Sequence, residues 1–289
     1  MPTKIEKDAI SGTDTTGHEW DGLKELNTPL PRWWLYTFYA TIVFAAVWVV
    51  LYPAIPIRGL TGVLGYTARE AGTAELAEAR TRAEPMMARL RAATPAQIAA
   101  DPDLRAYAIA GGRVAFANNC AACHGAGGQG ATGGYPTLAD DDWLWGGTLD
   151  AIRTTITHGI RSPDDEEART SVMPRFLGDG MLTRPQIHDV AQHVLGLSGL
   201  ATDQAAAQRG AAVFAENCVS CHGDQGEGNA ELGAARLNDR IWLNGPDTRA
   251  IEAFIANPRL GVMPAFGQRL DAATINMLAV YVHSLGGGR

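Results

Sequence analysis

The carboxyl-terminal part of the chain contains an internal repeat, which limits the possible folds more than any other feature. Two segments match at a separation of 98 residues, and each has a glycine eight residues and a phenylalanine four residues before a cysteine: Gly112-Arg-Val-Ala-Phe-Ala-Asn-Asn-Cys120 and Gly210-Ala-Ala-Val-Phe-Ala-Glu-Asn-Cys218. Each repeat then ends in apolar residues at three-to-four spacing, which predicts an amphipathic closing helix: Ile187, Val190, Ala191 and Val194, and Ile275, Leu278, Ala279 and Val282. The repeat therefore predicts two copies of one small helical domain.

All four cysteines lie in two Cys-x-x-Cys-His motifs: Cys120, Cys123 and His124, and Cys218, Cys221 and His222. This motif is the attachment signature of c-type haem. Because the paired cysteines are about one helical turn apart, both sulfurs can reach one edge of the porphyrin, and the histidine then lies beneath the iron. A redox disulfide and a zinc site share the Cys-x-x-Cys spacing. The recurring histidine favours two covalently bound haems instead.

The sixth iron ligand is predicted to be a methionine. Met173 and Met263 follow the two motifs, and each is followed by a proline. A thioether ligand raises the potential of an electron-carrying haem. On the residues alone, each methionine can serve its own repeat or the other one. Met181 and Met277 are expected to be core residues.

The remaining histidines offer one competing ligand, His158. His193 is expected to pack between helices, whereas His188 and His283 are expected to be exposed. The acidic run 164–167 is predicted to be a solvated loop. With both axial positions filled, the irons would carry electrons rather than bind O2 or a substrate, and the sequence offers no acid–base group for catalysis.

One apolar run, Trp33 to Tyr52, has 20 residues without a charge, close to the length of a membrane-spanning helix. Aromatic residues at both ends are typical of membrane interfaces, and Pro53 and Pro56 are expected to end the helix. A cleavable signal peptide is the alternative, but its leader would be 32 residues long and acidic. The run is therefore predicted to remain as an anchor. Since haem c is attached on the outer face of bacterial membranes, the amino terminus is expected to be cytoplasmic and the haem domains periplasmic.

The formal net charge is -7. This acidity makes nucleic acid an unexpected partner and suits a basic protein partner. The first repeat, residues 114–200, has 5 Arg against 10 acidic residues, and the second has 7 against 9. The first repeat, with Asp140 to Asp142, is therefore predicted to be the better docking surface for a basic cytochrome c.

The residues before the apolar run resemble a known family. The stretch His18-Glu-Trp-Asp-Gly-Leu-Lys-Glu-Leu-Asn-Thr-Pro-Leu-Pro-Arg-Trp-Trp34 is similar to the amino-terminal hallmark of the dihaem subunit III (CcoP or FixP) of cbb3-type cytochrome c oxidases. With the anchor, the linker and both haem motifs, the resemblance covers essentially the whole chain. The expected fold is all-α: a cytoplasmic segment 1–32, a transmembrane helix 33–52, a periplasmic helical linker or stalk 53–106, and tandem class I-like cytochrome c domains at 107–200 and 201–289. No enzyme site is expected in the linker.

The resemblance implies an electron-transfer subunit of a terminal oxidase in the bacterial inner membrane. Its partners would be a haem-copper catalytic subunit and a monohaem cytochrome c subunit, and its donor a soluble or membrane-bound cytochrome c or the bc1 complex. The family's haem ligands carry over to Cys120, Cys123, His124 and Met173, and to Cys218, Cys221, His222 and Met263.

The second repeat departs from the family pattern at one place. Tyr135-Pro136, whose carbonyl in such folds orients the proximal histidine, becomes Ala234-Ala235. This departure concerns the tuning of the second haem. Two alternative functions remain: an anchored dihaem cytochrome that serves another periplasmic redox enzyme, and a haem-based sensor, which would need an open axial site.

Overall fold

The computed structural model describes residues 4–52, 62–131 and 133–286, and it divides into two compact units, Met1–Arg82 and Ala83–Arg289. The predicted helical fold is confirmed, with one small sheet in addition. The elements are β1 (Thr15–Trp20), β2 (Leu23–Leu26), α1 (Arg32–Leu51), α2 (Ala68–Ala92), α3 (Pro95–Ala100), α4 (Pro102–Asn119), α5 (Ala121–His124), α6 (Leu149–His158), α7 (Arg184–Leu197), α8 (Gln204–Asn217), α9 (Val219–His222), α10 (Thr248–Ala256) and α11 (Ala272–His283).

In the first unit, β1 and β2 form an antiparallel hairpin that the all-α prediction missed. The two residues between the strands, Asp21 and Gly22, have φ values of +49° and +86°. An Asp-Gly pair with both φ values positive is a preferred two-residue hairpin turn. The local sequence therefore contained the signal for this turn.

Helix α1 lies one residue before the predicted span 33–52 at each end, and none of its residues is buried. Among the described residues it is the only helix long and apolar enough to cross a membrane. Rings stack at both ends, Trp34 on Phe38 and Trp48 on Tyr52. Pro53 and Pro56, which were expected to end the helix, lie outside the described residues.

In the second unit, each closing helix packs on the other repeat. Helix α7, from the first repeat, lies along α8 and α10 of the second, whereas α11 lies along α4 and α6 of the first. One core cluster accordingly joins Val190 and Leu195 to Phe214, and another joins Leu278 to Phe116. The opposite face of α11 contacts Leu90 and other residues between the end of α2 and α4.

The glycines eight residues before each first cysteine lie where these helices cross. A Cβ on Gly112 would be 2.4 Å from the carbonyl oxygen of Met277 in α11, and one on Gly210 would be 2.0 Å from that of Asp189 in α7. Backbones this close leave no room for a side chain. The repeated glycine therefore permits the tight contact between α4 and α11 and between α8 and α7.

Candidate haem-binding sites

Each Cys-x-x-Cys-His motif forms one short helical turn directly after a longer helix. In the first, α4 ends at Asn119, and the amides of Cys123 and His124 donate to the carbonyl oxygen of Cys120, at 3.1 and 2.9 Å. The second motif repeats this geometry after α8, at 3.2 and 2.9 Å. The turn brings both cysteines of a pair to one side of the chain, as attachment to adjacent porphyrin substituents requires.

None of the four cysteines forms a disulfide. Burial raises the pKa of Cys120 and of Cys218 to about 11, opposite to the lowered pKa of a reactive redox cysteine. The described residues also contain no group of three or more His, Cys, Asp or Glu side chains arranged to hold a metal ion. The zinc alternative therefore lacks a ligand set in this part of the chain.

The two motif histidines are oriented by backbone carbonyls. Nδ1 of His124 lies 3.0 Å from the carbonyl oxygen of Pro136, and Nδ1 of His222 lies 2.8 Å from that of Ala235. Because a carbonyl only accepts, Nδ1 carries the hydrogen and Nε2 remains available to a metal. Ala235 thus makes the contact that Pro136 makes in the first repeat, despite the sequence departure.

Met263 packs in the core around the first cysteine motif, the first candidate haem site, although it follows the second motif in the sequence. It packs in the cluster that contains Cys120, Phe116 and Trp143. Its amide donates to the carbonyl oxygen of Ile160 and its carbonyl accepts from the amide of Ile160, both at 3.0 Å. Arg161 and Ser162 hold the neighbouring residues of this loop: Arg161 Nε donates to Gly261 O at 2.7 Å, and Ala265 N donates to Ser162 Oγ at 3.2 Å.

Met173 correspondingly packs in the core around the second cysteine motif, the second candidate haem site. It packs against the cluster that includes Cys218, Phe214 and Trp242. Four residues later, the amide of Leu177 donates to the carbonyl oxygen of Ala256 at the end of α10. Each methionine therefore shares a core cluster with the first cysteine of the other repeat, which fits one of the two arrangements that the sequence left open.

Two buried tryptophan N–H groups fit a bound haem. Nε1 of Trp143 and Nε1 of Trp242 are shielded from solvent and have no hydrogen-bond partner. A buried donor without an acceptor is costly, and haem carries two propionate carboxylates that can accept. Both tryptophans pack in the clusters that hold a motif cysteine and a methionine. The sequence pattern alone assigned these tryptophans no role.

The other candidate ligands have different roles. Both ring nitrogens of His158 face carboxylates, Nδ1 to Asp165 at 3.2 Å and Nε2 to Glu167 at 3.3 Å. The acidic run is therefore not simply a solvated loop, because the side chain of Asp165 is only 15% exposed. His193 packs 5.1 Å from the ring of Phe214, between α7 and α8.

The remaining expectations concern the exposure of four side chains. His188 is half-buried and lies 2.7 Å from Glu252, and His283 is also half-buried, so neither is fully exposed as expected. Met277 is a core residue, but Met181 is 51% exposed.

The acidic segment proposed for docking is only partly at the surface. Asp141 is exposed, whereas Asp140 and Asp142 are half-buried. Burial, and next the nearby charge of Asp239, raise the pKa of Asp142 to about 6. Asp141 is thus the one residue of the three whose side chain is exposed to solvent.

Comparisons with known proteins find matching family models and full-length relatives. Family models match residues 12–58 (N-terminal domain of cytochrome oxidase-cbb3, FixP), 109–198 (cytochrome c) and 205–282 (cytochrome c oxidase, cbb3-type, subunit III). The cbb3-type cytochrome c oxidase subunit CcoP of Azospirillum brasilense is 51% identical over 98% of this chain and 99% of its own length. The subunit FixP of Bradyrhizobium diazoefficiens is 51% identical over 100% of both chains, and CcoP of Cereibacter sphaeroides is 47% identical over 100% of both.

Proposed function

The chain belongs to the CcoP/FixP family of cbb3-type cytochrome c oxidase subunits, and from this premise we propose that two covalently bound haems c carry single electrons through it towards an O2-reducing subunit. The chain is an electron-transfer subunit of an oxidase complex and not an enzyme by itself. Haem c supplies a one-electron iron couple. The proposal rests on one observation: beside each Cys-x-x-Cys-His motif, a methionine packs against the same core cluster as the first cysteine of that motif.

We propose crossed axial ligation. His124 and Met263 would hold one iron, and His222 and Met173 the other. Each methionine packs against the same core cluster as the other repeat's first cysteine, which supports this pairing, as do the hydrogen bonds between Met263 and Ile160. On this proposal, residues 107–200 and 201–289 are the sequence repeats, whereas each folded haem domain combines segments of both.

Both axial positions would then be filled, which disfavours the sensor alternative. A sensor needs an iron with an exchangeable ligand. Met263 is held by two backbone hydrogen bonds at 3.0 Å and by the two hydrogen bonds to its loop. Its side of the haem would therefore be closed to gases in the resting protein.

We propose that α1 anchors the chain in the bacterial inner membrane, with the amino terminus in the cytoplasm and the haem domains in the periplasm. The length and apolar surface of α1 support the anchor. The orientation follows from chemistry, because haem c is attached on the outer face of the membrane.

The proposed partners are a haem-copper catalytic subunit, a monohaem cytochrome c subunit and a donor cytochrome c. A basic donor would be steered by the acidic surface of the chain. The exposed Asp141 is the sharper probe of this docking, because Asp140 and Asp142 are half-buried. Asp141→Lys is expected to reduce the salt dependence of cytochrome c oxidation, and an unchanged salt dependence would remove this residue from the docking surface.

Purification from native membranes in mild detergent, through a carboxyl-terminal tag, tests the oxidase assignment. Reduced-minus-oxidised spectra, subunit identification and O2 uptake are measured on one sample. Haem b, copper and cyanide-sensitive O2 uptake are expected to co-purify with haem c. Haem c alone, or a dehydrogenase as partner, would contradict the oxidase role and leave an anchored electron carrier.

A matched pair of variants tests the crossed ligation. Cys123→Ala leaves one vinyl group conjugated with the first porphyrin, which shifts that haem's absorption to longer wavelength and so marks it. In this background, Met263→His is expected to lower the potential of the marked haem, and Met173→His that of the unmarked haem, because histidine lacks the thioether that raises the potential. The reverse result would return each methionine to its own repeat.

A further inference from the structure

The two repeats differ in length between the cysteine motif and the methionine, and the longer connection contains an unusual arginine. The methionine follows the first cysteine by 53 residues in the first repeat and by 45 in the second. The extra residues follow α6, include the acidic run, and lead to Arg169. The amide of Arg169 donates to Gly159 O at 3.1 Å, and its carbonyl accepts from Arg161 N at 2.8 Å. The backbone of Arg169 is thus fixed beside the end of α6.

The side chain of Arg169 is held against the first haem site by neutral groups only. Nη1 donates to Trp145 O at 3.0 Å, and Nη2 donates to Ala151 O at 3.3 Å. The guanidinium lies 5.2 Å from the centre of the Trp145 ring. Among the described residues no carboxylate forms an ion pair with it. This cation therefore lacks the partner that a partly buried charge requires.

One nitrogen of this arginine is left over. Nε of Arg169 is shielded from solvent without an acceptor, and it is the only such arginine atom in the described ranges. The indole Nε1 of Trp143 is in the same condition. Trp143 is two residues from Trp145, the residue that Arg169 both stacks on and bonds. Two unpartnered donors, one of them charged, thus lie around one short segment before α6: the indole of Trp143 is part of it, and the side chain of Arg169, which follows α6, is bound to it through Trp145.

We propose that Arg169 Nε and Trp143 Nε1 bind a propionate carboxylate of the haem attached at Cys120 and Cys123, and that the charge of Arg169 raises the potential of this haem. A charge-assisted hydrogen bond to a carboxylate is a strong one, and it would satisfy both donors. A nearby cation favours the reduced iron, which carries one positive charge less. The indole N–H of Trp242 at the second site is also unpartnered, but among the described residues no arginine there has a buried nitrogen without a partner. The rise in potential is therefore expected at the first haem only.

The test is spectropotentiometry of the full-length chain in detergent, with Cys123→Ala marking the first haem. Arg169→Gln is expected to lower the redox equilibrium constant of the marked haem about tenfold, which corresponds to a potential lower by about 59 mV. The potential of the unmarked haem is expected to stay the same. Arg169→Lys, which keeps the charge, is expected to shift the potential of the marked haem less. Trp143→Phe combined with Arg169→Gln is expected to shift it by less than the sum of the single effects, because both donors serve one carboxylate.

Arg269→Gln is the matched control. Arg269 also lies over an aromatic ring, 4.9 Å from the centre of Phe266 in the first haem site, but it is exposed. Arg269→Gln is expected to change the redox equilibrium constant of the marked haem by less than about twofold, because water screens an exposed charge. Equal shifts in potential from Arg269→Gln and Arg169→Gln would overturn the proposal. So would an Arg169→Gln variant in which the potential of the marked haem is unchanged or only that of the unmarked haem moves. Strictly additive effects of Arg169→Gln and Trp143→Phe would also overturn it.

Haem content separates this proposal from other causes. Loss of haem from both Arg169→Gln and Arg169→Lys would show that the arginine is needed for folding and would overturn the propionate role. The inference rests on the haem attachment proposed above. The marker identifies the first haem by its cysteine and not by its methionine. If crossed ligation failed, Met263→His would show this, and the effect of Arg169→Gln on the marked haem could still be interpreted.

Discussion

Exchange of the closing helices makes a prediction that contiguous domains cannot make: a core mutation in one repeat should loosen the haem site of the other. Leu278 in α11 is fully buried and packs in the cluster of the first haem site, with Phe116 and Ile152. Leu195 in α7 is 1% exposed and packs with Phe214 in the cluster of the second. Leu278→Ala and Leu195→Ala are therefore a matched pair with opposite expected targets.

The expected magnitude follows from burial. Truncating a fully buried leucine to alanine costs about 2–5 kcal/mol, because contacts are lost and a cavity remains. If release of Met263 undoes the packing around Leu278, even about 2 kcal/mol favours the open state by about 30-fold, at about 1.4 kcal/mol per factor of ten. Imidazole, which binds ferric haem only after the methionine leaves, should then bind that haem about 30-fold more tightly.

The assay is an imidazole titration of the ferric full-length chain, with Cys123→Ala marking the first haem. Loss of the iron–methionine charge-transfer band reports release of the ligand. Leu278→Ala is expected to tighten imidazole binding at the marked haem, and Leu195→Ala at the unmarked one. If Leu278→Ala acted only on the unmarked haem, each closing helix would belong to its own repeat and the packing argument would be refuted.

Three further variants test single contacts. Gly210→Ala places a Cβ 2.0 Å from the carbonyl oxygen of Asp189, so it should cost about 1–3 kcal/mol by overpacking and lower the thermal midpoint; an unchanged midpoint would argue against the close helix crossing. His158→Gln should leave both iron–methionine bands intact in the oxidised spectrum, and loss of either band would restore His158 as a ligand. Because burial and Asp239 raise the pKa of Asp142 to about 6, the native state keeps a proton that the unfolded state releases, so the free energy of unfolding should fall as pH rises from about 4 to 6. Asp142→Asn should make this decrease in the free energy of unfolding smaller by about 1–3 kcal/mol. Denaturant titrations at pH 4 and pH 7 measure it, and an unchanged pH dependence would place the titrating group elsewhere.

Features set by local chemistry could be predicted from the sequence. The Cys-x-x-Cys-His turns need only a few consecutive residues in helical conformation, and α1 needs only a long apolar run. The hairpin of the first unit was missed even though Asp21-Gly22 is a local signal. It was missed because the flanking strands lack the apolar alternation by which half-buried strands are usually recognised.

The exchange of closing helices could not be decided from the repeat itself. Because Gly112 and Gly210 are equivalent and both closing helices are amphipathic, either helix matches either partner by pattern. The connection length breaks this tie. Only residues 198–203 separate α7 from α8, and a short loop between helices favours antiparallel neighbours. Once α7 occupies the surface of α8, α4 remains available for α11.

Arg169 could not be identified in advance, because its role depends on contacts and not on pattern. In the sequence it follows four consecutive acidic residues and suggests a solvated ion-pairing loop. In the structure, Asp165 and Glu167 contact His158, while Arg169 turns to backbone carbonyls of the first haem site. The acids nearby in sequence are therefore not its partners, and this leaves the arginine available to a carboxylate from outside the chain.

Crossed ligation also has a consequence for electron transfer. On the proposed ligation and topology, each haem site takes a methionine and a closing helix from the other repeat, so neither site would be complete until both repeats had been synthesised and exported. Two independent domains on a linker would reorient with respect to each other, and their electron exchange would vary with that motion. Exchanged segments instead join the sites through two packed helix pairs and through the hydrogen bonds of Met263 to Ile160. The same contacts that complete the ligand sets would thus restrain the separation of the two irons, a property suited to a chain whose function is to pass electrons in sequence.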